Sequence, residues 1–195
     1  MFINADSKQT VYILGDGVVA YEYQRYLSNE GITDTRIIAP QDFLTIPANA
    51  QCLIGFHNTD YKRRWVKDLE HLNLNWLTYI HPKAEVLGKV GIGSCIGAFA
   101  YIGYDSVCGD FTTVCEHSVI GHDTKIGNFC FLGAGTMLGG GSLIGNNVYF
   151  GIKSAVRDKV IIENDCFFAI GTIVRKHVTQ AGKYFNHGNA LHKFR

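Results

Sequence analysis

The spacing of apolar residues changes abruptly near residue 80 of this chain. From Val90 to Val174 an apolar residue recurs at every sixth position, usually followed by glycine and, four places on, by a small residue. A period of six fits neither an α-helix nor an ordinary strand. It is typical of a solenoid in which short strands alternate with tight corners around a narrow apolar interior. The pattern therefore predicts a parallel β-helix, with glycine at corners that need an unusual backbone conformation.

Three hexads make one triangular coil of 18 residues, so residues 18 apart are expected to stack at a strand spacing of about 4.8 Å. The hexads give about five such coils, preceded by a partial one from Ile80 to Lys89. After Val174 the repeat stops. Residues 179–195 are predicted to cover the last coil, because a solenoid needs a cap over its open edge.

Residues 1–78 show a different pattern, which predicts a small α/β domain before a β-helix domain at 79–178. Apolar runs predict strands at Val11–Leu14, Arg36–Ala39, Cys52–Phe56 and Leu77–Ile80. Helical spacing predicts helices at 18–31 and at His57–Asn73, the second capped by Asn58 or Thr59. This order of elements favours a parallel sheet that ends before His81-Pro82.

Composition narrows the range of functions. A formal net charge of +1 argues against a nucleic-acid surface, and a hydrophobic content of 47% is ample for a packed core. No signal-peptide pattern and no apolar stretch of membrane-spanning length is present, so we expect a cytoplasmic protein without a membrane partner. Cys108, Cys130 and Cys166 occupy apolar or small repeat positions and are predicted to be buried free thiols.

His122 is the strongest candidate for a catalytic side chain. It is expected on the outside of a coil, and Asp123 follows it. One coil later, Gly139-Gly140-Gly141 places bare backbone above the imidazole. Such backbone can admit a thin ligand and offer it N–H donors, as the pantetheine arm and thioester carbonyl of acetyl-CoA require. The plain alternative is a sharp corner beside an ordinary surface histidine.

A column of basic residues is predicted further along the solenoid. Arg157 and Arg175 are 18 residues apart, and Lys153 lies one hexad before them. Other basic residues close by in the sequence are Lys159, Lys176 and His177. Stacked like charges repel unless an anion is present. The phosphates of coenzyme A are candidate anions for this column, and a solvated basic rim is the alternative.

The loop after the first strand is a candidate phosphate site. Gly15-Asp16-Gly17 follows a strand and opens a helix, whose N-terminus attracts anions. The same glycines, with Ala20, match a dinucleotide fingerprint, but one mononucleotide half would not build a dinucleotide crevice, so NAD is the weaker alternative. His57 and Asn58 are expected at the carboxyl end of a neighbouring strand, where ligands bind in open α/β sheets.

The chain resembles the hexapeptide-repeat acyltransferases with a left-handed β-helix. More closely, it is similar to bacterial amino-sugar N-acetyltransferases that carry a nucleotide-sugar-binding domain before the β-helix, a group that includes sialic acid O-acetyltransferases. The stretches that carry the resemblance are ILGDG at 13–17, LIGFHNTDYKRR at 53–64, YIHPKAEV at 79–86, SVIGHDTKIGNFCFLGAG at 118–135 and HGNA at 187–190.

The resemblance implies a homotrimer with acetyl-CoA bound in the cleft between adjacent β-helices. It implies His122 as the general base and Asp123 as its acidic partner. Coenzyme contacts would map near Gly140, Ile152 and Gly171. The acceptor would be a nucleotide-activated amino sugar held by the N-terminal domain, and no metal or nucleic acid is expected. Four aromatic residues expected to point outward would be covered by the trimer, namely Tyr101, Phe129, Phe131 and Tyr149.

Three departures from the family pattern bear on mechanism and substrate. Cys115 stands where asparagine is common, seven residues before the base. Phe131 stands nine residues after the base, where a second histidine would help to polarise the acyl carbonyl. Ala39-Pro40 replaces acidic residues at the end of the second strand, which slightly favours the deoxyribose of dTDP over UDP.

Three other functions stay open on this fold. One is a trimeric metalloenzyme of the γ-carbonic-anhydrase type, which would use His81, His117 and His122 across neighbouring chains. The second is a sugar O-acetyltransferase, and the third is a non-catalytic binding module. The sequence does not distinguish N-acylation from O-acylation.

Overall fold

The chain divides into two compact units, residues 1–79 and residues 80–195. The computed structural model describes residues 2–3, 6, 8–188 and 190–194. Asn189, which belongs to the HGNA stretch, therefore lies outside the described residues. Among the described residues, no helix combines the length and apolar character that crossing a bilayer requires.

The first unit contains a four-stranded parallel sheet in the order β3-β2-β4-β5. Its strands are β2 Val11–Leu14, β3 Thr35–Ile38, β4 Gln51–Ile54 and β5 Asn75–Trp76. The helices are α1 Val18–Asn29 and α2 Thr59–Asp68, with short 3-10 helices at Pro40–Thr45 and Glu70–Leu72. Strand β1 Phe2–Ile3 pairs antiparallel with β6 Thr78–Ile80, and this pair does not belong to the four-stranded sheet. The parallel α/β unit predicted from the sequence is confirmed.

Several predicted boundaries in this unit were wrong. The strand expected at Leu77–Ile80 is present as β6, but it pairs with β1, and the fourth strand of the parallel sheet is instead β5, which was not predicted. The helix expected at His57–Asn73 ends at Asp68, and Asn73 adopts a left-handed conformation with φ of 49°. Apolar spacing continues through the 3-10 turn that follows, so the pattern alone does not show where the α-helix stops.

The second unit is a left-handed parallel β-helix, as the sequence and its resemblance predicted. Three parallel sheets form its faces. Sheet 1 contains β7 Glu85–Val86, β10 Tyr101–Ile102, β13 Val119–Ile120, β16 Met137–Leu138, β19 Ala155–Val156 and β22 Ile173–Val174. Sheet 2 contains β8 Lys89–Val90, β11 Val107–Cys108, β14 Lys125–Ile126, β17 Leu143–Ile144 and β20 Ile161–Ile162. Sheet 3 includes β9 Cys95–Ile96, β12 Thr113–Val114, β15 Phe131–Leu132, β18 Tyr149–Phe150 and β21 Cys166–Phe168.

The predicted stacking at 18 residues is confirmed along all three faces. In sheet 1, Ile102 pairs with Ile120, and Ile120 pairs with Leu138. These inward side chains are at most 2% exposed and belong to one continuous core. The six cysteines are free and buried, as predicted for three of them.

Small polar residues at the inward bends bind the next coil. Ser106, for example, donates its hydroxyl to the carbonyl oxygen of Gly121 at 2.7 Å. The same hydroxyl accepts the backbone N–H of Thr124 at 3.3 Å. A buried hydroxyl must be hydrogen-bonded, and here it satisfies backbone groups that the corner leaves without a ladder partner.

The reason predicted for the repeat glycines was wrong. None of the glycines that directly follow the inward apolar residues has a positive φ. They are required because a Cβ would collide with the coil above, as at Gly121, where it would lie 2.5 Å from the nitrogen of Gly140. The left-handed conformation falls two residues later, and non-glycine residues adopt it at most corners, including His117, Asp123 and Phe129.

The segment after the repeat forms a hairpin on the last coil. Strand β23, Gly182–His187, runs parallel to β21, and β24, Ala190–Lys193, returns antiparallel to it. Tyr184 of this hairpin and Val178 before it are buried in the β-helix core. The hairpin thus extends sheet 3 by two strands.

One of the four aromatic residues expected to point outward is buried. Phe131 is 6% exposed, and its ring stacks on that of Tyr149 at a centroid distance of 4.7 Å. Tyr149 stacks in turn on Phe167, also at 4.7 Å. The parallel ladder places identical positions one strand spacing apart, so aromatic side chains 18 residues apart cover one another.

Candidate active site

His122 and Asp123 occupy the corner between β13 and β14. The Nδ1 atom of His122 lies 2.7 Å from Oδ2 of Asp123, and both side chains are well exposed. A carboxylate only accepts hydrogen bonds, so this contact places the ring proton on Nδ1. The Nε2 atom of the neutral ring is then left with its lone pair, as a general base requires.

The imidazole lies against Gly140 of the next coil, as the 18-residue spacing predicted. A Cβ on Gly140 would be 2.7 Å from Nε2 of His122. Gly141 donates its backbone N–H to the carbonyl oxygen of His122 at 2.8 Å and thereby locks the two corners together. Within the part of the chain that the structure describes, the N–H of Gly140 has no acceptor. Glycine at position 140 therefore creates room for the base and leaves one backbone donor beside it.

Basic side chains lie on the following coils of the same corner. Arg157 stacks below Arg175 and is exposed, with its Nε 3.9 Å from Oδ1 of Asp158. The stem of Lys159 lies over Gly141, since a Cβ there would be 3.4 Å from its Cγ. A cavity of about 490 Å³ opens on the last coil, lined by Ile173, Arg175, Lys176, His177, Ala190 and Leu191. Arg157 and Arg175 thus stack as predicted, whereas Lys153, which was placed in the same column, lies at another corner. Ala190 and Leu191 of the cavity lining were missed because the hairpin return was not predicted.

Three predicted coenzyme contacts lie at a different corner. Ile152 and Lys153 connect β18 to β19, and Gly171 connects β21 to β22. The N–H of Gly171 donates to the carbonyl oxygen of Ile152 at 2.8 Å, so these residues stack on one another. Their corner joins sheet 3 to sheet 1, whereas the corner of His122 joins sheet 1 to sheet 2. One copy of the β-helix therefore does not bring them beside His122.

The two residues that depart from the family pattern also lie away from His122 in one copy of the chain. Cys115 follows β12 at the corner between sheets 3 and 1, and it is 9% exposed. Phe131 belongs to β15 of sheet 3. Burial raises the pKa of the Tyr149 hydroxyl, which sits near the Cys115 thiol. This hydroxyl therefore keeps its proton at neutral pH and remains a hydrogen-bond donor.

The predicted phosphate loop forms at the carboxyl edge of the N-terminal sheet. Gly15 donates to the carbonyl oxygen of Ile38 at 2.8 Å, and Gly55 donates to that of Leu14 at 2.8 Å, so the ends of β2, β3 and β4 meet. Gly15 has a φ of 119°, and a Cβ there would lie 3.1 Å from the carbonyl oxygen of Gly55. Asp16 and Gly17 are exposed, and Gly17 is the N-cap of α1.

His57 and Asn58 follow β4 at the same edge of the sheet. Burial, together with the nearby Lys62 ammonium, lowers the pKa of His57 to about 4, so its ring is neutral at physiological pH. The Lys62 side chain is itself buried. Asn58 caps α2, since its side-chain oxygen accepts the N–H of Tyr61 at 2.8 Å. One side of the Asn58 amide is thus engaged in the cap, and the remaining NH₂ group can face a ligand.

The remaining histidines are dispersed. His117 stacks on Phe99 with ring centroids 5.0 Å apart, and Nδ1 of His81 accepts the N–H of Lys83. His71, His187 and His192 are exposed, as predicted. Among the described residues, no group of three or more histidine, cysteine, aspartate or glutamate side chains could hold a metal ion.

Solved structures share the fold, although no model of a protein family and no curated protein matches the chain. The acetyltransferase domain of PglB from Neisseria gonorrhoeae is 16% identical with a TM-score of 0.87, covering 95% of this chain and 100% of that one. PerB from Caulobacter crescentus, in complex with CoA and GDP-perosamine, is 19% identical with a TM-score of 0.83, covering 94% and 97%. WeeI from Acinetobacter baumannii is 17% identical with a TM-score of 0.83, covering 95% and 100%. The α/β unit followed by a left-handed β-helix is thus the fold of all three proteins.

Proposed function

We propose that this chain is an acyltransferase that moves an acetyl group from acetyl-CoA to the amine of a nucleotide-linked sugar. The observation that carries the proposal is the corner of His122. A histidine oriented by a carboxylate presents a free ring nitrogen beside backbone that lacks a Cβ and offers an unused N–H. A general base next to an oxyanion donor is what attack on a thioester carbonyl requires.

His122 is the proposed base. Its Nε2 accepts a proton from the sugar amine while the amine nitrogen forms a bond to the thioester carbonyl carbon. The C–S bond breaks, and the proton leaves the imidazole for the departing thiolate. Asp123 holds the ring tautomer and stabilises the imidazolium, so no acyl-enzyme is needed. The N–H of Gly140 is positioned to bind the carbonyl oxygen as negative charge develops there.

Acetyl-CoA is the proposed acyl donor, and the basic column on the same corner supports it. Arg157, Lys159 and Arg175 lie on the coils beyond the glycine corner, where they would bind the coenzyme phosphates. The glycines at 139–141 lie between these cations and His122, and the absence of side chains there would let a pantetheine arm pass along the backbone. Two proteins with this fold, the PglB domain and PerB, have been solved with acetyl coenzyme A and with CoA, respectively.

The proposed site is completed in a homotrimer. Ile152, Lys153 and Gly171 stack on a corner that does not carry His122, so they reach the coenzyme only from a neighbouring copy. Ile152 is 48% exposed and Ile170 above it is 72% exposed, which is costly for a monomer in water. Analytical ultracentrifugation tests this step, because a monomer of 21.6 kDa at micromolar concentration would contradict it.

The proposed acceptor is an amino sugar carried on a nucleoside diphosphate. The Gly15-Asp16-Gly17 loop at the start of α1, in which Asp16 and Gly17 are exposed, would bind the diphosphate, with His57 and the amide NH₂ of Asn58 alongside. Ala39-Pro40 follows β3 without a carboxylate for the ribose hydroxyls, which slightly favours dTDP over UDP. PerB, which has the same fold, was solved with GDP-perosamine, so guanine nucleotides belong in the test.

Release of free thiol from acetyl-CoA in the presence of dTDP-, UDP- and GDP-linked amino sugars tests the reaction. The His122→Ala variant is expected to lose about 10²–10⁴ in kcat while still binding CoA. His71→Ala removes an exposed histidine elsewhere and should leave kcat unchanged. A His122→Ala enzyme with normal turnover would contradict the base assignment. Absence of thiol release from the wild type with every acceptor would contradict the function.

Calorimetry measures which nucleotide the chain binds more tightly, and this measurement does not depend on turnover. We expect dTDP to bind somewhat more tightly than UDP. Tenfold tighter binding of UDP, which corresponds to about 1.4 kcal/mol, would reverse the preference. Mass spectrometry of the product distinguishes an amide from an ester and thereby N-acylation from O-acylation.

A further inference from the structure

The corner that carries His122 changes its charge along the axis of the β-helix. We call this series of stacked corners, residues 103–105, 121–123, 139–141, 157–159 and 175–177, the catalytic edge. Asp105 and Asp123 lie on the coils up to and including that of His122. Above the glycine corner, the four basic side chains Arg157, Lys159, Arg175 and Lys176 outnumber the one carboxylate, that of Asp158. An anionic ligand is therefore attracted to the upper part of the edge and a cationic one to the lower part.

Tyr104 occupies the lower part of the edge, at the position equivalent to His122 one coil earlier. Its carbonyl oxygen accepts the N–H of Asp123 at 2.9 Å, which fixes the two corners against each other. The ring of Tyr104 is 65% exposed. In the described part of the chain, no aromatic ring or cation stacks on it, although ring pairs occur at two other corners of the β-helix, Phe99–His117 and Phe111–Phe129.

Asp105 follows Tyr104 at the same corner and is also exposed. Its φ of 54° matches the φ of 57° at Asp123, so these two residues, one coil apart, have the same left-handed backbone conformation. Asp123 is held by His122, whereas Asp105 has no cationic partner among the described residues. An exposed aromatic face and a carboxylate thus lie together directly below the proposed base.

We propose that Tyr104 and Asp105 form the subsite that positions the cationic amino group of the acceptor below His122. This inference rests on the proposed function and adds the direction from which each substrate arrives. Amino sugars are ammonium ions at neutral pH, and an ammonium is stabilised both by a carboxylate and by the face of a tyrosine ring. The donor, with its phosphates, approaches from the basic end of the edge, and the acceptor approaches from the acidic end.

The subsite also explains where the first proton goes. The ammonium R–NH₃⁺ must lose one proton before it can attack, and the free Nε2 of His122, one coil further on, is the proposed acceptor of that proton. Transfer of that proton leaves the neutral amine R–NH₂ and an imidazolium, which Asp123 stabilises. Release of the proton to solvent restores the base for the attack itself. Asp105 therefore acts as a positioning residue that raises the occupancy of the charged acceptor.

Steady-state kinetics on the full chain tests the subsite. Asp105→Asn and Tyr104→Ala are each expected to raise the KM for the amino sugar about tenfold, the range of one charge-assisted or cation–π contact. The KM for acetyl-CoA should stay unchanged, because the donor lies at the other end of the edge. Asp105→Glu and Tyr104→Phe should restore most of the affinity. Tyr21→Ala, at a tyrosine of α1 that is 58% exposed, removes an aromatic ring of similar exposure and serves as the control.

A binding measurement keeps the test independent of turnover. Calorimetry should show that Asp105→Asn weakens binding of the amino-sugar nucleotide but not of the analogue with a hydroxyl in place of the amine. Equal loss for both ligands, or no loss for either, would overturn the subsite. Absence of thiol release by the wild type would instead contradict the proposed function, while this comparison of ligands would still decide the subsite.

Discussion

The β-helix and the N-terminal unit differ in how regularly the contacts that restrict their residues recur along the chain. In the β-helix each constraint joins residues one coil apart, so a Cβ on Gly127 would lie 2.7 Å from the carbonyl oxygen of Gly145. The same contact recurs at successive corners. In the N-terminal unit each contact is individual. Gly55 packs against Ala20 of α1, whereas Gly17 has no atom within 4 Å of its Cβ direction.

This difference determines how each unit is stabilised. A two-residue strand such as Val119–Ile120 has little stability alone and depends on the coils on either side of it. The N-terminal sheet has three four-residue strands, and α2 packs through Trp65 on a local core around Leu14, Phe43 and Leu69. Substitutions in the β-helix are therefore expected to act on neighbouring coils, and those in the N-terminal unit on their own contacts.

The largest expected effect comes from adding one methyl group to a stacked glycine. Gly127→Ala should lower the free energy of unfolding by about 3 kcal/mol, because the backbone of the next coil must shift to make room. Gly17→Ala is the comparison in the N-terminal unit and should cost only about 1 kcal/mol, because it meets no neighbouring atom and only weakens the N-cap of α1. Urea unfolding followed by circular dichroism measures both. Equal destabilisation by the two substitutions would contradict the contrast between the units.

The sequence predicted the β-helix residue by residue because its core repeats. Every sixth residue faces inward, so the pairing of Ile102 with Ile120 follows from counting. The role of the repeat glycines could not be predicted in this way. They avoid a clash with the next coil, and such a contact does not depend on the backbone conformation that a residue prefers locally. In the N-terminal unit, the end of α2 at Asp68 depends on packing that apolar spacing does not describe.

The candidate site could likewise be predicted where it depends on the 18-residue repeat and not where it depends on the arrangement of the sheets. The contact of His122 with Gly140 follows from the 18-residue repeat and is present. The separation of Ile152 from His122 at different corners required knowledge of which sheets each corner joins. Tyr104 was missed because an exposed tyrosine in a repeat is unremarkable until the coil above it is known to carry the base.

An intermediate effect is expected from pH at His57. Its pKa is about 4 in the folded chain and near 6.5 when unfolded, so below pH 6.5 the unfolded chain binds the proton first. Stability conferred by the neutral ring is complete above pH 6.5 and decreases as the pH falls towards 4. Between pH 8 and pH 5 the loss should be about 2 kcal/mol. His57→Gln should remove this part of the pH dependence.

Tryptophan fluorescence is the appropriate probe for that experiment. The two tryptophans, Trp65 and Trp76, both lie in the N-terminal unit, so their emission follows its unfolding. His71→Gln, at an exposed histidine of the same unit, provides the control and should keep the wild-type pH profile. A His57→Gln profile that matches the wild type would show that the ring is not buried neutral.

The smallest expected effect concerns the cap of α2. Asn58→Ala removes the oxygen that accepts the N–H of Tyr61 and should cost about 1 kcal/mol. Asn58→Asp keeps an acceptor at the same place and should retain most of the stability, which separates the cap from any other role of the side chain. Urea unfolding followed by tryptophan fluorescence measures both variants. Because the contact is local, hydrogen exchange in the β-helix coils should stay unchanged, in contrast to Gly127→Ala. Faster exchange of the coil amides in Asn58→Ala would show that a change in the N-terminal unit also destabilises the β-helix, and would contradict the comparison.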